Sequence, residues 1–461
     1  MLANALMLGG CATFSDDGGF ATVEAESKKL IDHTPRWMRD EPSKATARDE
    51  VAQLLMAPLS ADSAVRVALL NNPRLQSEYA NLGVSEADLV QAGRLQNPGF
   101  SFSKTTGGGA QEIERGLHFN ILALLTLPLR SEIEHRRFEA AKLAAVSATI
   151  DTAMQARSGF IEAVANQQVA AYFQQVVESA DASRELMERM RRVGNASGLE
   201  LAREQLFHAE AVAAFANARM RAQGARERLN RALGVWGEQL EYSLPERLPD
   251  LPAAPRDLAD VERKAIEQRL DIRMQRQRLE SLAASLGLSK ATRFVNVFEA
   301  GPTQVRERGE AKRDGYEVSL EIPIFDWGDA RVARAEALVS QATNRLRATA
   351  IDARSEARDA YRTYRTTYDL AKHYRDEIVP LRKRISDEQL LRYNGMLVGV
   401  FELIADAREQ IASVSMYIEA LRTFWLADAA LRNAMTGASR SQGPSLITNA
   451  LLPTDNAGQG H

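Results

Sequence analysis

Residue types that could support catalysis or metal binding are few and scattered in this chain of 461 residues. The single cysteine, Cys11, excludes an internal disulfide and a cysteine-cluster metal site. Residues 194–198 read GNASG, which lacks the spacing of a nucleophile elbow, and there is no Walker loop. The histidines form no ligand pair at helical spacing; they are His33, His118, His135, His208, His373 and His461. We therefore predict no catalytic residue, no metal site and no cofactor.

Cys11 is the one residue that indicates a covalent modification. It ends the run Leu8-Gly9-Gly10-Cys11, which resembles the lipobox of a bacterial lipoprotein signal, where cleavage leaves the cysteine as the lipid-bearing first residue. No Lys or Arg precedes the apolar run, and a run of about ten residues is short for a secretory signal. We expect a covalent lipid such as palmitate on Cys11, with residues 1–11 as the signal remnant. The alternative is an inert N-terminal cysteine.

Composition favours closely packed helices and gives no charge-based partner. Apolar residues make up 45% of the chain but aromatic residues only 6%, and alanine is abundant. The net charge is −3 with acidic and basic residues mixed, so no nucleic-acid-binding patch is expected. No run of about 18 apolar residues is present to form a membrane-spanning helix. Any membrane crossing would therefore be made by strands.

The clearest strand pattern lies at residues 316–324, where apolar and polar residues alternate. Tyr316, Val318, Leu320 and Ile322 lie on one side, and Glu317, Ser319 and Glu321 on the other. The pattern fits a half-buried strand in an ordinary sheet, and it equally fits a strand with one face toward lipid. Residues 326–329, which read DWGD, then offer turn and N-cap chemistry before a long helix.

The predicted elements occur in the same order twice, which indicates an internal two-fold repeat. The first repeat, 60–242, contains a helix (60–94), two strands (100–109, 116–129) and a helical hairpin (131–193, 199–232). The second, 257–436, contains a helix (258–290), two strands (293–300, turned by Gly301-Pro302, and 316–324) and a hairpin (329–392, 401–435). Aligned positions include Pro128 with Pro323, Gly194 with Gly395, and Gly198 with Gly399. Outside the repeats we predict an extended arm with one short helix at 12–59, a Pro-rich linker at 243–256 and a disordered tail at 437–461.

The number of strands and the pattern of the long helices set two further constraints. Four strands cannot close a barrel alone, so strands in a membrane would require an oligomer. In the second long helix a seam of mostly small residues recurs every seven positions: Val339, Leu346, Ala353, Ala360, Thr367 and Tyr374, with Ala350, Ala357, Tyr364 and Ala371 four residues after members of that series. This seam fits a hollow helical cylinder, and it also fits a solid coiled-coil stalk.

Several motifs together resemble TolC-type outer-membrane efflux proteins, and the Cys11 run matches their lipoprotein branch. They are the duplicated order, PIFDWG at 323–328 after an alternating strand, LQNP at 95–98, and the glycine-marked hairpin tips. The resemblance covers about residues 60–436. It implies a mainly α fold with a small β part, in which long antiparallel helical hairpins form an α-helical barrel. Four strands per chain would contribute to a trimeric 12-stranded transmembrane β-barrel.

The same resemblance implies a function, a location and partners. The protein would be the passive exit duct of a tripartite efflux pump, located in the bacterial outer membrane and extending into the periplasm. Its partners would be two further copies of itself, a periplasmic adaptor, an inner-membrane transporter and outer-membrane lipid. The rival interpretation is a lipid-anchored periplasmic coiled-coil scaffold or adaptor without a channel. The exported substrate is not indicated, because the 12 methionines are scattered along the chain.

The resemblance also implies site residues. The adaptor-docking tips would be Arg192, Val193, Gly194, Asn195, Ala196 and Ser197, and Arg392, Tyr393, Asn394, Gly395, Met396, Leu397 and Val398. Asp387 matches an aspartate that rings the pore constriction, whereas the family's second pore aspartate falls near Arg384. Tyr316, Val318, Leu320 and Ile322 would face lipid, with Glu317, Ser319 and Glu321 toward the pore. Simple helix-turn chemistry also accounts for the glycines of the tips.

Overall fold

A computed structural model describes residues 13–107, 110–295 and 297–437 of the chain. The predictions for Cys11 and for the tail after residue 437 lie outside the described residues. The helices are α1 Phe20–Ile31, α2 Glu41–Met56, α3 Ala61–Asn71, α4 Pro73–Ala92, α5 Ile121–Arg192, α6 Gly198–Leu233, α7 Val261–Gln268, α8 Leu270–Ala291, α9 Asp329–His373, α10 Val379–Asn394 and α11 Val400–Thr436. The strands are β1 Gly99–Gly107, β2 Ala110–Asn120, β3 Phe298–Glu307 and β4 Arg313–Leu320.

The segment 12–59, predicted as an extended arm with one short helix, contains the two helices α1 and α2. α2 begins with a capping box, in which Asp40 accepts a hydrogen bond from the Ser43 backbone N–H at 2.8 Å. α1 packs on α5, and its Phe20 ring meets the buried Tyr79 ring edge-on at 4.9 Å between centroids. The extended description is therefore wrong, because both helices bury one face against the helical body.

The main hydrophobic core lies where the helices of the two halves meet. It joins α3, α4 and α5 to α7, α9 and α11, with Tyr79, Phe160, Tyr364 and Phe424 among its largest buried side chains. The Tyr79 hydroxyl lies 2.8 Å from the Thr149 hydroxyl, which pairs the polar group that this core buries.

The Pro-rich linker at 243–256 is anchored to this core. The Tyr368 hydroxyl donates to the carbonyls of Pro252 and Ala253 at 3.1 and 3.0 Å. The Trp425 indole N–H donates to the carbonyl of Pro249 at 3.0 Å. Prolines cannot form ladder or helix hydrogen bonds through nitrogen, so aromatic side chains of α9 and α11 bind the linker through its carbonyls.

The first long helix begins ten residues earlier than predicted. α5 has 72 residues, which corresponds to roughly 108 Å at 1.5 Å per residue. Residues 121–129, predicted as strand, are helical, and Pro128 lies inside the helix. The run ILALLTL fits the period of a strand and that of a helix equally. Asn120 favours the helix, because its side chain caps α5 by accepting a hydrogen bond from the Ala123 N–H at 2.8 Å. Because Pro128 is helical and Pro323 follows β4 in a loop, the two prolines are not equivalent.

The second long helix, predicted as one rod over 329–392, is interrupted. A π-helical turn at Tyr374–Ile378 separates α9 from α10, and Pro380 follows it. Within α9 the predicted seam is buried at Ala353, Ala357, Tyr364, Thr367 and Ala371.

The helix predicted at 258–290 is also divided. α7 and α8 meet at Arg269, whose backbone is extended (φ −62°, ψ 128°) and whose side chain is only 4% exposed. The Arg269 guanidinium bonds Asp271 at 2.7 Å, Glu356 of α9 at 2.7 Å and the carbonyl of Ala434 at 3.0 Å. A buried guanidinium with three partners thus ties the α7–α8 junction to α9 and α11.

The four strands form one antiparallel sheet in the order β1-β2-β3-β4. Strand bounds differ from prediction in both pairs, since β2 begins at Ala110 instead of residue 116, and the second pair differs as well. Gly301 and Pro302, predicted as a turn, lie within β3, and residues 321–324 follow β4 instead of extending it. A Cβ on Gly301 would lie 1.6 Å from the Leu117 carbonyl oxygen, so glycine permits the close strand approach there. Among the described residues, no helix is both long and apolar enough to cross a membrane.

Candidate functional site

The register of the sheet separates its side chains into two faces of opposite character. Residues directly opposite each other share a face, and side chains alternate along each strand. Phe100 lies opposite Leu117, Phe119 opposite Ala300, and Ala300 opposite Val318. These pairs place the larger apolar side chains of the four strands on one face, with the exception of Val305 on β3.

This apolar face is open on the described chain. The exposed fraction is 67% for Phe100, 56% for Phe102, 41% for Leu117 and 46% for Phe119. The predicted lipid-facing residues lie here too, with Tyr316 85% exposed, Val318 56% and Leu320 54%. Ile322, 71% exposed, lies just beyond the end of β4. An exposed apolar surface built from four strands needs a covering partner or lipid.

The opposite face is polar and rich in carboxylates. Glu317 lies opposite Gly301, and Ser319 lies opposite Glu299 on the same side. His118 contacts Ser101 at 2.8 Å and lies 3.9 Å from the Glu317 carboxylate. The alternation of β4 fitted either a half-buried strand or a strand with an open apolar face. In the described chain no helical layer covers the apolar side, so the half-buried alternative does not apply.

Both edges of the sheet are unpaired within the described chain. β1 pairs only with β2, and β4 pairs only with β3. Open edges expose unsatisfied backbone N–H and C=O groups that readily pair with another strand. The edges and the apolar face therefore leave this sheet incomplete in a single chain.

Residues 321–328 connect β4 to α9 at the junction of the sheet with the helices. The Asp326 carboxylate accepts the Gly328 N–H at 2.8 Å, and Arg293 donates to the carbonyl of Trp327 at 3.1 Å. Gly328 has φ 71° and lies so close to the Arg293 carbonyl that a Cβ would be 2.5 Å from it. The PIFDWG motif therefore forms a fixed turn, while its Phe325 side chain is 97% exposed.

The first hairpin tip joins α5 to α6 through a closed turn. Gly194 has φ 81°, and the Asn195 N–H donates to the Met190 carbonyl at 2.9 Å. Ser197 caps α6 by accepting from the Glu200 N–H at 3.2 Å, and Glu200 accepts from the Ser197 N–H at 2.5 Å. The hydrogen bond from the Ser197 N–H holds the pKa of the Glu200 carboxyl below its ordinary value of 4.5.

The second tip joins α10 to α11 with the same pattern of bonds. The Leu397 N–H donates to the Arg392 carbonyl at 2.9 Å, and Met396 has φ 58°. The Glu402 carboxylate accepts from the Gly399 N–H at 2.5 Å. Met396, not Gly395, is thus the left-handed residue equivalent to Gly194. The sequence alignment of Gly194 with Gly395 is wrong by one residue.

Most tip residues are exposed. The most open side chains are Val193 at 71%, Met396 at 94% and Leu397 at 78%. Ala196 is buried, Tyr393 and Val398 are partly buried, and the remaining predicted tip residues are exposed: Arg192, Gly194, Asn195, Ser197, Arg392, Asn394 and Gly395. The tips therefore present apolar side chains on turns that backbone hydrogen bonds hold closed.

Asp387 lies on the exposed side of α10, away from α11. The α10 side chains that contact α11 are its neighbours, since Arg382 bonds Glu409 at 2.8 Å and Ser386 bonds Gln410 at 3.1 Å. Arg384 is exposed as well. Asp387 is therefore exposed to contact with another chain, and the neighbouring position expected to hold a second pore aspartate is occupied by Arg384.

Sequence reasoning missed the two glutamates that cap the tips, Glu200 and Glu402. The signal for Glu200 was present as Ser197-x-x-Glu200, a capping box. No local pattern indicated that Gly301 lies inside a strand and close to the Leu117 carbonyl, because the neighbouring strand comes from the other half of the chain. In the part of the chain that the structure describes, no group of His, Cys, Asp or Glu is arranged to hold a metal ion.

No family model matches the chain, and no curated protein matches it. Solved structures do resemble it. The Campylobacter jejuni CmeC outer membrane channel aligns with a TM-score of 0.71 at 17% identity, covering 82% of this chain and 86% of that one. CusC, whose structures concern the conformational changes that accompany folding and transmembrane channel formation, aligns with a TM-score of 0.68 at 16% identity. The alignment covers 82% of this chain and 92% of CusC. The open state of the Neisseria gonorrhoeae MtrE outer membrane channel aligns with a TM-score of 0.67 at 16% identity, covering 83% of this chain and 90% of that one.

Proposed function

We propose that this chain, which has the fold of TolC-type outer-membrane channels, is the outer-membrane exit duct of a tripartite efflux pump. It would assemble as a homotrimer, lie in the outer membrane and extend into the periplasm. A periplasmic adaptor and an inner-membrane transporter would deliver substrates, which the duct conducts passively. The lipid expected on Cys11 would add an anchor.

The observation that carries this proposal is the four-stranded sheet with one open apolar face and two unpaired edges. Such a sheet satisfies its backbone groups if β4 of one chain pairs with β1 of the next. Three chains would then form a closed barrel of twelve strands. Its apolar face would contact lipid, and Glu317 and Ser319 would line water.

The helices supply the second part of the duct. α5 alone would extend roughly 108 Å, far beyond the roughly 30 Å hydrocarbon core of a bilayer. The helices begin at the same end of the sheet, where β2 enters α5 and residues 321–328 lead into α9. They would therefore project to one side of the membrane, which supports a periplasmic tunnel with the hairpin tips at its far end.

The tips support docking of an adaptor. Val193, Met396 and Leu397 are exposed apolar side chains held on closed turns. Exposed apolar side chains that lie together on a surface mark sites of contact with another protein, here another helical hairpin. Asp387 on the exposed side of α10 is proposed to line the constriction above the tips.

Channel function is tested by conductance of the purified full-length protein in planar bilayers. Ser319→Cys and Val318→Cys place a thiol on opposite faces at neighbouring positions of β4. We expect a charged thiol reagent to change the conductance of Ser319→Cys and to leave that of Val318→Cys and the unsubstituted protein unchanged. No conductance, or an equal effect on both variants, would overturn the proposal.

The trimer is tested by a disulfide between the sheet edges. In one chain Ser101 on β1 and Ser319 on β4 are separated by three strand spacings, roughly 14 Å across the sheet, and by four residues, roughly 13 Å along it. This separation is too large for an internal disulfide. Ser101→Cys with Ser319→Cys should therefore give dimers and trimers under oxidation, and each single variant should not give trimers. A second pair, Ser103→Cys with Ser319→Cys, tests a register between chains that is shifted by two residues along β1.

A lipid-anchored scaffold without a channel makes a different prediction. Its Cys11→Ser variant would become fully soluble, whereas a protein with strands in the membrane would remain in the membrane fraction without the lipid. Full solubility of Cys11→Ser together with absent conductance would favour the scaffold.

A further inference from the structure

The apolar face of the sheet ends in basic residues at the end furthest from the long helices. This end carries the β1–β2 and β3–β4 connections, whereas α5 and α9 start from the other end. The three strand residues concerned are Lys104 on β1, Arg115 on β2 and Arg306 on β3.

The register places all three on the apolar face. Lys104 lies opposite Ile113, and Ile113 lies opposite Arg306, so Lys104 and Arg306 occupy one row two strands apart. Arg115 lies opposite Phe102 in the next row toward the helices. With about 4.8 Å between strands and about 6.8 Å between rows, the three charges lie within roughly 10 Å of one another.

These basic side chains are available for a ligand. All three are exposed, and in the described part of the chain none of them makes an ion pair or a hydrogen bond through its side chain. On the same face Asp314 accepts a hydrogen bond from the Gln304 amide at 2.8 Å. A ligand that approaches this face therefore meets three cations without an ion-pair partner and one carboxylate, that of Asp314.

The strand glutamates at this end lie on the other face. Glu112 lies opposite Thr105 and Glu307, and Glu114 lies opposite Ser103 and Val305. At this end the apolar side thus carries three cations and one carboxylate, Asp314, whereas the polar side carries three glutamates and Arg313. The excess of positive charge on the apolar side indicates an anionic partner there.

We propose that Lys104, Arg115 and Arg306 bind the phosphate groups of outer-leaflet glycolipid. This inference rests on the proposed function, which sets the apolar face toward lipid and the strand connections toward the exterior. Phe100, Leu117, Pro302 and Tyr316 form the last fully apolar row before the basic residues. One to two rows further, about 7–14 Å away, long basic side chains reach the headgroup level, where guanidinium groups bind phosphate in a bidentate manner.

The test uses the full-length protein in detergent with diphosphoryl lipid A as the probe. The variant Lys104→Gln/Arg115→Gln/Arg306→Gln removes three charges from the apolar face. The matched control, Arg345→Gln/Arg347→Gln/Lys372→Gln, removes three exposed charges from α9. Native mass spectrometry gives the oligomeric state and the fraction of lipid bound.

We expect the sheet variant to bind lipid A about a hundredfold more weakly, at roughly fivefold per basic residue near a lipid surface. The control should bind as the unsubstituted protein does, and monophosphoryl lipid A should bind more weakly than the diphosphoryl form. Equal binding by both variants, or no preference for the second phosphate, would overturn the proposal. If the triple variant does not assemble, Lys104→Gln alone is compared with Arg345→Gln, with a fivefold loss expected.

Conductance separates this proposal from the proposed function. The sheet variant should still conduct in a phospholipid bilayer, because its substitutions lie outside the pore. An unsubstituted protein that binds lipid A but never conducts would contradict the channel while leaving lipid binding intact.

Discussion

At the residue scale, the two tips show that the same turn can be built from different residues. Gly194 adopts a left-handed conformation without a side-chain penalty, whereas Met396 adopts it with a full side chain. Met396 gains nothing from packing, since 94% of its side chain is exposed. A strained residue with an exposed apolar side chain at a proposed docking tip is consistent with a role in contact.

The capping residues of the first tip give a pH prediction. The folded pKa of Glu200 is lowered, so its cap contributes stability above the ordinary value of 4.5 and loses it as pH falls through the folded pKa. We expect hydrogen exchange of the amides at 195–200, corrected for intrinsic rate, to accelerate as pH falls below 4.5.

Glu200→Gln is the control for this prediction. Glutamine can accept the same hydrogen bond but does not titrate, so the exchange of these amides should become independent of pH in that range. An unchanged pH dependence in Glu200→Gln would assign the effect to another group.

At the element scale, the sequence predicted the kinds of elements well and some of their ends poorly. The presence of β4, of the long helices and of both turns was predicted, because each depends on local periodicity or on local turn residues. Their details differ, since β4 ends at Leu320 and the second rod is interrupted at Tyr374–Ile378. The start of α5 was misread because an apolar run such as residues 121–127 fits strand and helix equally. The course of β3 through Gly301 and Pro302 depends on a strand from the other half of the chain, so no local pattern could reveal it.

Gly301 gives a prediction for the sheet. In Gly301→Ala the new Cβ would overlap the Leu117 carbonyl, which lies 1.6 Å from its ideal position. Moving the backbone to relieve this overlap should cost about 1–3 kcal/mol and lower the yield of oligomer. Gly107→Ala is the matched control on β1, since no atom lies within 4 Å of its added Cβ. Thermal unfolding of both variants checks the expectation, and equal stability would contradict it.

The linker gives a second prediction at this scale. Tyr368→Phe removes the donor to the carbonyls of Pro252 and Ala253 in a side chain only 3% exposed. We expect the free energy of unfolding to fall by about 1–2 kcal/mol, because these carbonyls lose their partner. Tyr361→Phe should cost less, since that hydroxyl makes only longer bonds, at 3.5 Å to Asp257 and 3.4 Å from the Leu258 N–H. Denaturant titration compares them, and similar losses would mean that the linker is held by packing.

At the scale of the whole molecule, a single chain leaves its sheet edges and apolar face open. The pattern of Tyr316, Val318 and Leu320 predicted an apolar face, and the structure adds the same face on three further strands. The proposed number of chains and the proposed pore-facing role of Asp387 are not encoded in a local pattern. Both would depend on surfaces that only an oligomer brings together.

Opposite faces of β4 give the whole-molecule prediction. Val318→Arg puts a charge on the apolar face, where an arginine near the bilayer midplane costs about 2–4 kcal/mol in a membrane strand. In the proposed trimer this cost applies three times, so we expect much less protein to be recovered as trimer from outer membranes. Ser319→Arg, on the polar face one residue away, should leave recovery nearly unchanged. Equal recovery of the two variants would place both residues in water.

The π-helical turn at Tyr374–Ile378 changes the helical phase of everything below it. Continuing the seven-residue series beyond Tyr374 would bring Leu381 to the helix interface, yet Leu381 is 53% exposed. The next residue, Arg382, takes that place and bonds Glu409, followed four residues later by Ser386 with Gln410. The inserted residue has advanced the seam by one position and exchanged an apolar interface for a polar one. Because polar contacts exchange readily with water, we expect α10 to separate from α11 at a lower free energy than the apolar seam of α9 above it, and faster amide hydrogen exchange in α10 than in α9 would show this.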